Sequence, residues 1–255
     1  MRRVLVPAVF LLFACAGGDQ GGGAAESEDA AGGMTSTGPM GQATVSGMVR
    51  FDGAAPANPT IDMSEEPTCA EKYEGPPTDP QAVVNNGMLG NVFVYVKSGL
   101  PDGASYSPPS TPVVLDQEGC LYHPRVFGVM VGQTVEIRNS DALLHNIKAV
   151  PTANRGFNIS QPQAGMTTNR TFNTAEIMVP FECNVHGWMR AYTGVTTHPF
   201  YATSGEDGAF TIQGLPAGEY VLEAWHELFG TRETTVTVPE SGSVSVEFTF
   251  SPSAS

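Results

Sequence analysis

Three potential metal ligands follow one another at intervals of three residues in the segment ECNVHGWM, namely Cys183, His186 and Met189. A thiolate, an imidazole and a weak thioether form a ligand set that suits copper in both oxidation states, whereas zinc sites use thiolate, imidazole and carboxylate and calcium and magnesium prefer oxygen. A mononuclear copper site of this kind needs a second imidazole. His145, which follows a strand-like segment, is the candidate.

Other metal and catalytic chemistry lacks support in the sequence. A binuclear copper centre needs two cysteines in the loop, and multicopper oxidases need His-x-His pairs; neither occurs. A structural Cys–His pair with Met189 in the core, or a zinc site, remains the alternative reading of the cluster. No HExxH, GxSxG or P-loop pattern is present, so we expect an electron carrier or a binding protein and not an enzyme. The remaining histidines are expected to have structural or surface roles: His123, His198 and His226.

The composition predicts an all-β protein. The chain has 29 Gly and 20 Pro among 255 residues, and only 15% of its residues are charged, whereas an average soluble domain has about 25%. Many turn formers favour short strands over long helices. Val135 and Ile137 alternate with polar residues, which predicts a strand that ends shortly before His145. The net charge of −14 makes a nucleic-acid partner unlikely on chemical grounds, because such binding depends on cationic contacts.

Residues 111–197 resemble a cupredoxin. The resemblance depends on the C-x-x-H-x-x-M loop, whose spacing is of the amicyanin type, and on an H-N pair at a strand end upstream of it. Three further patterns are similar to that family: Tyr122-x-Pro124, Val131-x-Gln133 and Asn139-x-Asp141. Gly187 departs from it, since amicyanin-like loops often have Pro there. The resemblance implies a Greek-key β-sandwich that holds one type 1 copper ion.

The resemblance also implies a role for each residue around the copper. His145, Cys183 and His186 become the equatorial ligands and Met189 the axial ligand. Asn146 is expected to tie the two ligand loops together and to donate toward the thiolate. In the resembled family the second histidine, here His186, lies near the surface in an apolar patch, so Trp188 is a candidate for a docking surface and, alternatively, a core residue. Two neighbours of Cys183 complete the expected surroundings of the ligands: Phe181 and Asn184.

Residues 198–255 resemble the carboxypeptidase regulatory-like, transthyretin-related β-sandwich. The pattern D-G-x-F-x-I-x-G-L-P-x-G-x-Y-x-L, which begins at Asp207, carries this resemblance. That module is non-catalytic and is sometimes found beside carbohydrate-active domains, which makes carbohydrate a possible ligand. Residues 43–110 contain a strand similar to the opening strand of the same module. We therefore expect the copper domain to be inserted into this sandwich, the alternative being sequential domains.

The first fifteen residues predict export. Arg2 and Arg3 precede a short apolar run that ends in LFAC, which resembles the lipobox of bacterial lipoproteins and makes Cys15 the lipidated residue. Ordinary signal cleavage near Ala16 is the alternative. The resemblance favours attachment to the outer membrane, on its periplasmic face or at the cell surface. Residues 16–42 are rich in Gly and lack a periodic apolar pattern, so they are predicted to be a disordered tether.

The four cysteines fit an oxidising compartment. If Cys15 carries lipid, three remain, and a disulfide between Cys69 and Cys120 would leave Cys183 free for metal; other pairings are open.

Two classes of function follow from these observations. One is a lipid-anchored electron-transfer protein with a redox protein as its partner. The other is a surface lipoprotein whose β-sandwich modules bind carbohydrate or protein, with a metal that is structural or absent.

Overall fold

The structure is a computed structural model that describes residues 37–252. The predicted signal segment, Cys15 and most of the predicted tether lie outside these residues. Within them the chain forms strands and one short helix, which confirms the all-β prediction. No helix in this part of the chain has the length and apolar character needed to cross a membrane. The elements in chain order are β1 Gln42–Phe51, α1 Pro67–Ala70, β2 Val84–Asn85, β3 Met88–Leu89, β4 Phe93–Ser98, β5 Val113–Glu118, β6 Leu121–His123, β7 Val126–Met130, β8 Val135–Asn139, β9 His145–Ala149, β10 Phe157–Gln161, β11 Thr167–Arg170, β12 Glu176–Glu182, β13 Arg190–Thr196, β14 Tyr201–Thr203, β15 Ala209–Leu215, β16 Gly218–His226, β17 Gly230–Val238 and β18 Ser241–Phe250.

The first hydrophobic core joins the two ends of the described chain. Strand β1 pairs antiparallel with β15 and parallel with β18, and it contacts β3 at its far end. Its apolar residues alternate with polar ones, so that one face of the strand is buried, as expected for a half-buried strand. A second sheet, in the order β14-β4-β16-β17, covers this face. Residues from positions 43–96 and 200–250 therefore share one core.

The second core lies between two further sheets. One sheet has the order β10-β9-β12-β13-β7 and the other the order β11-β8-β5-β6. Ile137, Ile147 and Phe181 are fully buried between them, and Phe127 and Phe172 pack against Phe181 at centroid distances of 5.9 and 6.2 Å. Cys183 and Met189 belong to this same core. The candidate ligands thus lie at the end of a packed sandwich.

Residues 60–79, which we call the cap segment, form a small third cluster beside the second core. Ile61 and Met63 pack there around the disulfide between Cys69 and Cys120. The hydroxyl of Tyr73 donates a hydrogen bond to the carbonyl of Gly119 at 2.7 Å. Because one cystine and one hydrogen bond attach the segment to the β5–β6 turn, the cap segment is held over the end of the sandwich.

A buried ion-pair cluster links three parts of the chain. The guanidinium of Arg125 contacts Asp79 at the end of the cap segment at 2.5 Å, and it also pairs with Glu227, which follows β16. All three side chains are at most 10% exposed. Pairing of this kind is required at such burial, since a lone charge there would be strongly destabilising.

Candidate metal centre

The structure brings the side chains of His145, Cys183 and His186 together. The Nδ1 atoms of the two histidines lie 2.9 Å apart, and the sulfur of Cys183 lies 3.9 Å from Nδ1 of His186. One ligand atom from each residue lies within 4.8 Å of the other two, and all three residues are buried. His145 begins β9, whereas Cys183 directly follows β12. Two paired strands therefore position donors that are far apart in the sequence.

The ligand loop is stabilised by its own backbone. The N–H of His186 donates to the sulfur of Cys183 at 3.3 Å, and the N–H of Met189 donates to the carbonyl of His186 at 2.9 Å. These bonds close a tight turn that leads the chain back into β13. Cys183 is 5% exposed and Met189 is fully buried. Among the described cysteines, Cys183 has a free thiol.

Asp141 orients the imidazole of His145. Its carboxylate accepts a hydrogen bond from Nε2 of His145 at 2.8 Å, which leaves the Nδ1 lone pair directed at the other donors. The same carboxylate accepts bonds from the backbone N–H groups of Gly119 and Cys120 and pairs with Lys72 of the cap segment at 2.8 Å. Burial alone would raise the pKa of Asp141, but these partners outweigh it and lower the pKa to about 2.

The pKa values of both imidazoles lie below the ordinary histidine value. Burial lowers the pKa of His145, and Asp141 opposes that shift only in part. Burial also lowers the pKa of His186, and the neighbouring His145 adds to the effect. A neutral imidazole has a free lone pair, which is the state that binds a metal ion.

His186 differs from the expectation that the resemblance gave. Its side chain is fully buried and does not reach the surface. The reason is the cap segment, because the sulfur of Cys69 lies 3.9 Å from Nε2 of His186 and a carboxylate oxygen of Glu66 lies 4.0 Å from it. His186 is therefore buried beneath the cap segment, whereas the resemblance implied a position near the surface in an apolar patch.

Asn146 ties the two ligand segments together. Its side-chain oxygen accepts a hydrogen bond from the N–H of Asn184 at 3.2 Å. Its amide group, however, donates to the side chain of Asn158 and to the carbonyl of Ile159, and the donor to the sulfur is the N–H of His186. The expected donation from Asn146 toward the thiolate is therefore replaced by a backbone bond.

Trp188 lies between the candidate ligands and the surface. Its indole N–H donates to the carbonyl of Cys120 at 2.9 Å, and its ring centroid lies 5.3 Å from that of His186. The ring also lines a surface cleft of about 190 Å³ together with Val185 and acidic residues of the cap segment. Trp188 thus packs against the small cluster and presents an edge to the cleft.

The other histidines lie apart from this cluster. His123 is exposed. His198 is buried and its Nε2 bonds the carbonyl of Val96, while His226 is stacked on Phe229 at 4.6 Å. Burial lowers the pKa of His198 and of His226 to about 4 in each case.

Sequence reasoning missed the contribution of the cap segment and of Asp141. Asp141 precedes His145 by four residues, so an acid at this spacing before a candidate ligand was an available signal. Lys72 and Glu66 had no such signal, since their contacts depend on the path of the cap segment.

Comparison with known proteins gives partial resemblances. No protein-family model matches the chain, and no curated protein matches it. Among solved structures, a Cu(I) form of a mutant amicyanin is 22% identical and matches 40% of this chain and 97% of its own, with a TM-score of 0.30. A purple cupredoxin from Nitrosopumilus maritimus is 20% identical over 34% of this chain and 99% of its own, with a TM-score of 0.29. A copper-containing nitrite reductase from Thermus scotoductus SA-01 is 21% identical over 38% of this chain and 25% of its own, with a TM-score of 0.30. At these sequence identities and TM-scores, no function is inferred from the resemblances.

Proposed function

We propose that this protein is a type 1 copper protein that transfers single electrons in an exported compartment. The observation that carries the proposal is the convergence of two imidazole Nδ1 atoms and one free thiol at the end of a packed β-sandwich. A thiol that stays free and buried in a chain with a disulfide elsewhere needs a reason, and metal ligation supplies one.

The donor set fits copper. His145, Cys183 and His186 supply two nitrogens and one sulfur, which is the trigonal His₂Cys set of a blue-copper site. Met189 is the proposed axial ligand, being buried in the same core as Cys183. A bound copper ion would supply the one-electron chemistry by alternating between Cu(II) and Cu(I).

The surroundings of the ligands favour fast electron transfer. Asp141 holds the imidazole of His145, the backbone of the loop holds the sulfur of Cys183, and the disulfide lies against His186. Donors held by packing and hydrogen bonds move little when the charge of the metal changes, which lowers the reorganisation that accompanies electron transfer.

We further propose that a redox protein docks at the cleft beside Trp188. The indole is the aromatic group between His186 and this cleft, at a ring distance of 5.3 Å from the imidazole. The net charge of −14 makes association with a basic partner dependent on ionic strength.

Lipidation of Cys15, attachment to the outer membrane and a carbohydrate ligand of residues 198–255 belong to the same proposal.

A copper titration tests the proposal. Cu(II) added to the purified, metal-free protein with its disulfide intact should produce an intense visible absorption from thiolate-to-copper charge transfer at one equivalent. Cys183→Ala should abolish the absorption, and His145→Ala should weaken or abolish it, whereas the control His123→Ala should keep it. A colourless product, or tight binding of zinc alone, would contradict the proposal.

A further inference from the structure

The cap segment contacts His186 directly and reaches His145 through Asp141, in both cases at the Nε2 side of the imidazole. Nε2 of His186 faces the sulfur of Cys69 at 3.9 Å and the carboxylate of Glu66 at 4.0 Å. Nε2 of His145 bonds Asp141, whose second oxygen is paired with Lys72 at 2.8 Å. One segment outside the copper-protein resemblance thus supports both imidazoles.

Several independent contacts keep the cap segment closed. The disulfide joins Cys69 to Cys120, and the backbone N–H of Cys120 also donates to Asp141 at 2.8 Å. Tyr73 bonds the carbonyl of Gly119, and Lys72 pairs with Asp141 at 2.8 Å. Ile61 and Met63 of the segment itself are each 4% exposed, so opening it would expose apolar surface to water.

The closed cap segment has a direct consequence for access. His145 and His186 are fully buried and Cys183 is 5% exposed, so the closed state leaves the donors almost no accessible surface. Electrons can cross the packed atoms of the closed state. An anion that binds the metal, or a reagent that alkylates Cys183, can reach the donors only when the segment opens locally.

We propose that the cap segment is a lid that positions both imidazoles through Cys69 and Lys72 and closes the metal centre to external ligands. This inference rests on the proposed copper function, and it makes the protein a carrier by outer-sphere electron transfer. Cys69 and Lys72 are positioning residues, since they act on the metal through the two histidines.

Alkylation of Cys183 in the metal-free protein tests the lid without any copper. The modification by iodoacetamide is followed on the peptide that contains Cys183, under native conditions. Removal of the cross-link by the double substitution Cys69→Ala and Cys120→Ala should accelerate alkylation at least about tenfold, because the disulfide restrains local opening of the cap segment. Lys72→Met, which keeps the disulfide, should accelerate it to a smaller extent.

Two controls separate opening of the lid from other effects. Lys97→Met removes a lysine of similar exposure whose partners, Glu223 and Glu233, lie away from the site, and it should leave the alkylation rate unchanged. Gly194→Ala should lower global stability without touching the cap segment. Equal alkylation rates in the wild type, the double variant and Lys72→Met would overturn the proposal.

Access of an external ligand to bound copper gives the second readout. Azide added to the Cu(II) protein should leave the visible spectrum of the wild type unchanged and should alter that of the double variant. A wild-type spectrum that responds to azide as strongly as the variant's would overturn the proposal. If no coloured copper complex forms at all, the proposed function fails, and the alkylation experiment still decides whether the lid exists.

Discussion

The Nδ1 atoms of His145 and His186 face each other at 2.9 Å, although 41 residues separate the two histidines in the sequence. Because Nε2 of His145 is bonded to Asp141, its Nδ1 carries a lone pair. The pKa of each histidine is lowered, which favours the neutral imidazole over the imidazolium. Two nitrogen donors and a neighbouring thiol arranged in this way could hold one metal ion.

We expect Asp141→Asn to lower metal affinity by about 10- to 100-fold, as is typical when the partner of a ligating histidine is removed. The amide loses the charge that Lys72 and His145 both contact, so the tautomer and the orientation of His145 are less well defined. Affinity is measured by competition with a chelator of known strength. Asp116→Asn is the control, since Asp116 bonds Ser140 and lies outside the ligand cluster. Equal affinities in both variants would exclude this role of Asp141.

We expect Met189→Leu to keep copper binding and to raise the reduction potential. Leucine fills a similar buried volume, but it cannot donate electrons to the metal, and loss of that donation destabilises Cu(II) more than Cu(I). The potential is measured by a spectroscopic redox titration. Met130→Leu is the matched control, because Met130 is also buried, at 2% exposure, and is not a candidate ligand. The same potential in both variants would argue against an axial thioether.

The sequence was informative where local patterns determine structure. Alternating apolar residues predicted the strand that contains Val135 and Ile137. The structure contains the Cys69–Cys120 disulfide, which the sequence allowed among other pairings. The burial of His186 could not be predicted, because it depends on how the cap segment, which is mostly irregular, folds across the end of the sandwich. The bonds of Asn146 to Asn158 and Ile159 likewise depend on the pairing of β9 with β10.

We expect His226→Phe to reduce the loss of stability in acid. Burial, and then the charge of Arg125, lower the pKa of His226 to about 4, so the unfolded chain binds a proton at a higher pH than the folded one. Stability is therefore complete above about pH 6.5 and falls as the pH drops toward 4, by roughly 2–3 kcal/mol for one such group. Phenylalanine has no titrating group and retains the stacking on Phe229.

The free energy of unfolding at pH 7 and at pH 4.5 checks this expectation. The difference between the two values should be smaller in His226→Phe than in the wild type. His198, whose pKa burial also lowers to about 4, provides a second test, and the effects of His226→Phe and His198→Gln should add. An unchanged pH dependence in both variants would show that these histidines are already protonated or accessible in the folded protein.

Gly194 of β13 allows the two cores to approach each other. A Cβ atom built at this position would lie 2.3 Å from the ring of Phe93, which belongs to β4 and is fully buried. Because that ring has no free space to move into, Gly194→Ala should lower the free energy of unfolding by about 1–3 kcal/mol, the usual cost of overpacking. Denaturant unfolding of the metal-free protein measures the change.

Gly187→Ala in the ligand loop is the matched control: an added Cβ there meets no atom within 4 Å, so we expect a change within about 0.5 kcal/mol. A similar cost for both substitutions would mean that close packing of Phe93 on β13 does not limit the approach of the two cores.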